Sequence, residues 1–216
     1  MSLERQLTPE KALLFRITHR DNLPWILVNG LHCSNSDRRD PGFVSIGNPD
    51  LIDKRRARRV AIPPAGTLAD YIPFYFTPFS PMLLNIHTGR GVRQRSNEEL
   101  VILVACAHDL VAGGSTVLIT DRHAYLESAR YSGDLDDLST FVPWAQIQGR
   151  DFKRDLEDPV KIDRYQAEAL VHRHVPAEAL RGVACYTAEV KAELDQIAAE
   201  RGLEMKILAE RRWYFR

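Results

Sequence analysis

Apolar and polar positions bunch and alternate along the chain in a way that predicts its elements. Phe15, Arg16, Ile17 and Thr18 have the pattern of a short strand. Asp21 stands where it would cap a helix through Trp25, Ile26 and Leu27, which Asn29 and Gly30 stop. Residues 32–48 are polar and turn-rich and predict a loop. Asn48 and Pro49 open a second helix, because Asn caps and Pro suits a first turn. That helix carries Leu51 and Ile52 into a basic run at 54–59. Residues 70–76 hold four aromatics around Pro73, which suits a strand at a sheet edge or beside a cleft. Ser80 and Pro81 begin a helix with Met82, Leu83 and Ile86. Residues 100–106 are continuously apolar and predict a central buried strand. Val117, Leu118 and Ile119 form another, ending at Thr120 and Asp121.

From 122 to 164 the periodicity weakens to short helical turns. A stretch this long with little regular structure points to function. Residues 165–171 and 183–186 read as strands. Thr187 caps an amphipathic helix to Glu200, closed by Arg201 and Gly202. Residues 205–208 and 213–215 look like final strands. Strands and helices mix without a strict βαβ rhythm, so the fold class is α+β.

The 216 residues fit a single domain spanning 1–216. With 44% hydrophobic and 27% charged residues, the composition excludes a disordered chain. Lys+Arg 29 balance Asp+Glu 29, which excludes a globally basic coat protein but leaves room for a local basic patch. Cys33, Cys106 and Cys185 have no C-x-x-C spacing, so neither a disulfide framework nor a zinc knot is expected, and a cytoplasmic location is. Charges stand where a signal peptide needs an apolar run. No apolar stretch approaches the roughly 18 residues of a membrane span.

Candidate chemistry is uneven. Residues 54–59 hold five cations in six positions. They are either a solvated helix end that complements the macrodipole, or a phosphate clamp. Thr18, His19, Asp21 and Asn22 sit at a strand-to-helix junction, where side chains and free N–H groups meet ligands or simply satisfy each other. Tyr75 and Phe76 are core residues or an aromatic wall for a ring ligand. His172 and His174 lack a third ligand, so no metal is expected. Glu168 lies in the apolar run Ala167, Glu168, Ala169, Leu170, Val171. Such an acid faces solvent, or it faces a cleft with a partner and marks a site. The absence of G-x-G-x-x-G and G-x-x-x-x-G-K-[ST] disfavours a Rossmann dehydrogenase and a P-loop NTPase.

Four segments taken in order are more specific: R-I-T-H-R-D-N-L-P-W-I-L from Arg16, N-P-D-L-I-D-K-R-R from Asn48, L-A-D-Y-I-P-F-Y-F-T-P-F-S-P-M-L from Leu68, and Y-Q-A-E-A-L-V-H from Tyr165. Together they resemble the DarT family of DNA ADP-ribosyltransferase toxins over about residues 10 to 190. The resemblance implies an ADP-ribosyltransferase-like fold, a split antiparallel β-sheet around an NAD cleft with flanking helices. It implies sequence-specific transfer of ADP-ribose from NAD to thymine N3 of single-stranded DNA, which blocks replication and is reversed by a macrodomain antitoxin of the DarG type. By position it implies catalytic roles for Glu168 and Arg55. It implies NAD contacts at Thr18, His19 and Asn22; Arg20 and Gly30 beside them, Arg55 as the pyrophosphate's cation and Tyr75 or Phe76 as the aromatic wall complete the expected NAD site. The cations Arg56, Arg58 and Arg59 of the basic run, or Arg122, His123 and Arg154 in the weakly periodic stretch, would track the DNA backbone. Residues 36–55 match a segment that closes over NAD, and 119–168 a loop that meets DNA. Transfer to protein or RNA, or nucleic-acid binding without catalysis, are the competing readings of the same residues.

Overall fold

The computed structural model describes residues 2–216. In chain order, β1 (Leu13–His19) leads through a 3₁₀ turn into α1 (Leu23–Asn29) and β2 (Leu31–His32). After the loop come α2 (Pro49–Ala57), β3 (Tyr71–Tyr75), α3 (Pro81–Thr88), β4 (Leu100–Cys106), α4 (Ala107–Ala112) and β5 (Val117–Thr120). The weakly periodic stretch holds β6 (Tyr131–Ser132), α5 (Leu138–Phe141), α6 (Trp144–Gln148) and α7 (Lys161–Tyr165). The chain ends with β7 (Glu168–His172), β8 (His174–Val175), β9 (Gly182–Cys185), α8 (Ala188–Glu200) and β10 (Ile207–Ala209).

Local chemistry sets most boundaries. The side chains of Asn48, Ser80 and Thr187 each accept an amide hydrogen three residues on, at Leu51, Leu83 and Val190, and so start α2, α3 and α8. Pro49 and Pro81 fill first turns that need no amide. Gly30 ends α1 at φ 75°, where a Cβ would lie 2.3 Å from the Val175 carbonyl oxygen; only glycine fits there.

The eight-stranded sheet has the order β10-β9-β4-β1-β3-β7-β5-β6, antiparallel except for the β9/β10 pair. β1 pairs with β4 along its whole length, from Leu13↔Cys106 to His19↔Leu100. On its other side it meets β3 only at Phe15↔Tyr75. The sheet therefore splits between β1 and β3. Pro73 sits at this split, and its carbonyl accepts from Arg16 Nη1 at 2.8 Å. Because a strand residue's N–H and C=O point the same way, the amide that proline lacks also faces the opening, where β1 offers no partner. The main core includes Leu14, Phe15, Phe74, Phe76, Leu103 and Val171. A smaller cluster of Val60, Leu68, Tyr71, Leu118, Ala124 and Leu170 lies beneath the segments that follow α2 and β5.

Several expectations change. Asp21 does not cap α1; it lies in the 3₁₀ turn, and its amide donates to His19 Nδ1 at 3.3 Å. The aromatic strand is not at a sheet edge: β3 is internal, and the split satisfies its proline. Tyr165 ends a helix, so its strand begins only at Glu168. Trp213 closes a 3₁₀ turn rather than a strand, and its ring packs edge-on to Phe15. Among the described residues no helix is long and apolar enough to cross a membrane.

Candidate active site

Helical periodicity turns one cation of the basic run inward. Leu51, Ile52 and Arg55 share a face of α2 at spacings of three and four residues, and all three are half-buried, while Lys54 and Arg56 on the other face are exposed. The Arg55 fork reaches the first residue of β7. Nη1 and Nη2 donate to the two oxygens of Glu168 at 3.1 and 2.9 Å. Strand register places Glu168 opposite Tyr75, beside the split.

Glu168 is 1% exposed. Burial pushes its carboxyl upward, but the Arg55 charge, then His123, and hydrogen bonds from Arg55 and the Ala124 amide hold it below the usual carboxylate range. Burial likewise works against the Arg55 guanidinium, and Glu168 more than restores it. The Glu168 amide donates to Thr120 Oγ1 at 3.0 Å, which fixes the strand end to β5. His123 completes the second side. Its Nε2 lies 3.6 Å from Glu168 Oε1, and its Nδ1 accepts from the Tyr125 amide at 3.3 Å. That acceptance places the ring proton on Nε2, aimed at the carboxylate. Burial pushes the His123 pKa down, so the ring is neutral near pH 7.

Sequence reasoning missed Arg16. Burial and the Arg55 charge push its pKa down to about 10, against the pull of Tyr75 and Glu168. Its Nε is buried without a hydrogen-bond partner. An arginine between Phe15 and Ile17 in a strand was the signal: alternation sets it on the face of Thr18, toward the split. Arg55 holds the Glu168 carboxylate directly and Arg16 feels its charge, so two cations share one region, an arrangement suited to an anionic ligand.

The other anticipated residues divide. Asn22 is fully buried. It donates to Thr18 Oγ1 at 2.9 Å, and it clamps Val44 by accepting from its amide at 2.8 Å and donating to its carbonyl at 2.9 Å. It thereby ties the 33–48 loop to the end of β1. His19 lies at the same end, with Nε2 3.6 Å from Glu99. Arg20 points to Glu193 of α8 at 3.0 Å. Gly30 serves the turn after α1. Phe76 is 0% exposed and packs edge-on to Trp144, so the structure puts it in the core rather than the cleft. Arg56 pairs with Asp53 at 3.3 Å on the outer face of α2. Arg58 ends α2 and donates from Nη2 to the Leu126 carbonyl at 3.0 Å, and Arg59 is exposed. Arg122 and Arg130 both hold the buried carboxylate of Asp121. Arg154 is exposed in the loop between α6 and α7. The His172 ring packs at a tilt against Tyr71, and His174 Nε2 lies 3.0 Å from the Asn29 carbonyl oxygen. Among the described residues no group of three or more His, Cys, Asp or Glu could hold a metal.

Comparison with known proteins points to one family. The family model described as "ssDNA thymidine ADP-ribosyltransferase, DarT" matches residues 15–215. A DNA ADP-ribosyl transferase of Escherichia coli O127:H6 is 49% identical over 210 residues, 97% of this chain and 96% of that protein. Among solved structures, Thermus sp. 2.9 DarT in complex with NAD+ is similar with a TM-score of 0.83 and 31% identity, covering 96% of this chain and 99% of that one. The same protein in complex with ADP-ribosylated ssDNA gives 0.83 and 29%, covering 96% and 98%.

Proposed function

The chain belongs to the DarT family of single-stranded-DNA thymidine ADP-ribosyltransferases, and on that premise we propose that Glu168 and Arg55 carry the transfer of ADP-ribose from NAD to thymine N3. The observation that carries this residue assignment is the buried Glu168 carboxylate, held by both arms of Arg55 at the split between β1 and β3.

NAD supplies an ADP-ribosyl group whose bond to nicotinamide breaks as the bond to thymine forms. Positive charge develops on the ribose during that exchange. Glu168 accepts hydrogen bonds from ribose hydroxyls and faces the developing charge. A fixed carboxylate does this well in a dry cleft, since it needs no reorganisation as the reaction proceeds. The His123 Nε2–H lies 3.6 Å from the Glu168 carboxylate and favours its charge without touching substrate, which makes it a positioning residue. Thymine N3 has a pKa of about 10, near that of a phenol, so the base needs help to lose its proton. Arg55 holds its own proton too firmly to act as a base. The N3 proton passes to water, and Arg55 stabilises the thymine anion electrostatically while Glu168 engages the ribose. Arg16, with a free Nε, supplies positive charge for the diphosphate. Thr18, His19 and Asn22 line the same end of β1, and Asn22 ties the loop that would close over NAD.

Base pairing occupies N3 in a duplex, so an unpaired thymine is the cheaper target. The exposed cations Arg56, Arg59 and Arg154, with Arg58 and Arg122, track the DNA backbone in this reading. We take residues 1–216 as one catalytic domain acting in the cytoplasm. We assign reversal of the modification to a macrodomain antitoxin.

Incubation with NAD and a single-thymine oligonucleotide, read by intact mass, tests the assignment. Wild type should add one ADP-ribosyl unit. Glu168→Gln keeps the shape and loses the charge, and should slow transfer by at least about 10²-fold. Near-normal transfer by the folded variant would refute it.

A further inference from the structure

An open pocket of about 320 Å³ is lined by Lys54, Ala57, Arg58, Tyr125, Leu126 and Glu127, from the helix that carries Arg55 and the turn whose Ala124 amide bonds Glu168. Each wall belongs to a segment that also carries a residue of the reacting centre. Lys54 precedes Arg55 on α2, and Tyr125 follows two residues after His123. The turn that forms the second wall is fixed from within. The Tyr125 amide donates to His123 Nδ1 at 3.3 Å, and the Leu126 amide donates to the His123 carbonyl at 3.0 Å. Arg58 joins the walls through Nη2 to the Leu126 carbonyl at 3.0 Å, and its Nε is buried with no partner. Glu127 stands at the rim, 97% exposed, with its carboxylate 4.0 Å from Arg58 Nη1. The turn leaves β5, which β3 and β7 separate from β1 and its Thr18 and His19.

We propose that this pocket is a subsite for one nucleotide of the DNA strand next to the target thymine, and that Glu127 makes it prefer a base with an exocyclic amine. The proposal rests on the reaction assigned above. The volume is at the small end of ligand clefts, roughly 300–1,000 Å³, and suits a single nucleotide. The half-buried Tyr125 ring offers a stacking surface that any base can use. Lys54 and Arg58 offer charge to the phosphate. Neither the ring nor the cations distinguish bases. Glu127 does, because a carboxylate accepts from the amine of cytosine or adenine. Against thymine it meets two carbonyl oxygens flanking a single N–H, which repel it.

The test uses the full chain, NAD and a series of oligonucleotides with one thymine, varied or made abasic at each flanking position. For wild type, one position should favour an amine-bearing base over thymine, by about tenfold in kcat/KM. Glu127→Gln should flatten that preference, with Tm and DNA-independent NAD turnover unchanged. An abasic site there should cost wild type about tenfold and Tyr125→Leu much less, since the ring has already been lost. A wild type that modifies the thymine while no flanking position couples to Tyr125 or Glu127 overturns the subsite. A wild type that modifies none of the oligonucleotides overturns the assigned reaction, and the subsite with it.

Discussion

Arg55→Ala tests the charged centre through stability. In the native protein Glu168 is 1% exposed, and both of its oxygens are held by Arg55. Without the guanidinium, the carboxylate remains buried beside a neutral imidazole and the Ala124 amide. Removing one partner of a buried pair costs about 3–5 kcal/mol. A chain of this size loses about 2–4 °C per kcal/mol. The Tm should therefore fall by roughly 6–20 °C at neutral pH. Arg16 also feels the Glu168 charge and remains in place, which favours the lower end. The pH dependence identifies the cause. In wild type the Glu168 pKa is depressed on folding, so its contribution is fully present above the unfolded value of about 4.3. That contribution is lost as pH falls through the folded value. In the variant, burial acts without Arg55 to oppose it, and the folded pKa rises above the unfolded one. The penalty then stands at high pH and is relieved as pH falls through the raised value, because a neutral carboxyl needs no counter-charge. The Tm gap should shrink between about pH 7 and about pH 4.5. Calorimetric scans at matched ionic strength measure it directly. A gap that stays constant over that range would mean that Glu168 does not carry a buried charge compensated by Arg55.

Other outcomes follow from the same contacts. NAD at a hundred times its Kd should add about 2.7 kcal/mol of stability, and Asn22→Ala, which frees the loop at Val44, should reduce the thermal shift at the same NAD concentration; an undiminished shift would separate Asn22 from NAD binding. Gly30→Ala forces a Cβ to 2.3 Å from the Val175 oxygen at φ 75°, so denaturant titration should show a loss of at least about 2 kcal/mol, and an unchanged midpoint would refute that packing. Arg59→Ala removes an exposed cation; the log–log slope of oligonucleotide binding against salt should fall by about 0.7 with Tm unchanged, and an unchanged slope would place Arg59 away from DNA.

Local chemistry alone determined much of this protein. Asn48, Ser80 and Thr187 cap helices wherever such residues precede an apolar period, because the bond spans only three residues. The continuous apolar run of β4 becomes a central strand because only a site covered on both faces accepts it. The DarT-like segments in fixed order already placed Arg55 and Glu168 among the residues to watch, and the helical spacing of Leu51, Ile52 and Arg55 already contained the inward turn of that arginine. What the sequence left open was which side of a strand meets what. Alternation allowed Glu168 to face solvent or a cleft, and the choice came from β3 and α2, which lie 93 and 113 positions away at the contacting residues Tyr75 and Arg55. Phe76 and Tyr75 are neighbours in sequence, yet one packs in the core and the other faces the split. Tyr165 fell into a helix and Trp213 into a turn, since short apolar runs carry no signal that separates a strand from a packed turn. Arg16 and His123 acquired their places only when β1 parted from β3 and the turn after β5 folded over β7. A charge is buried only where its partner arrives from elsewhere in the chain, and only the tertiary structure decides where that is.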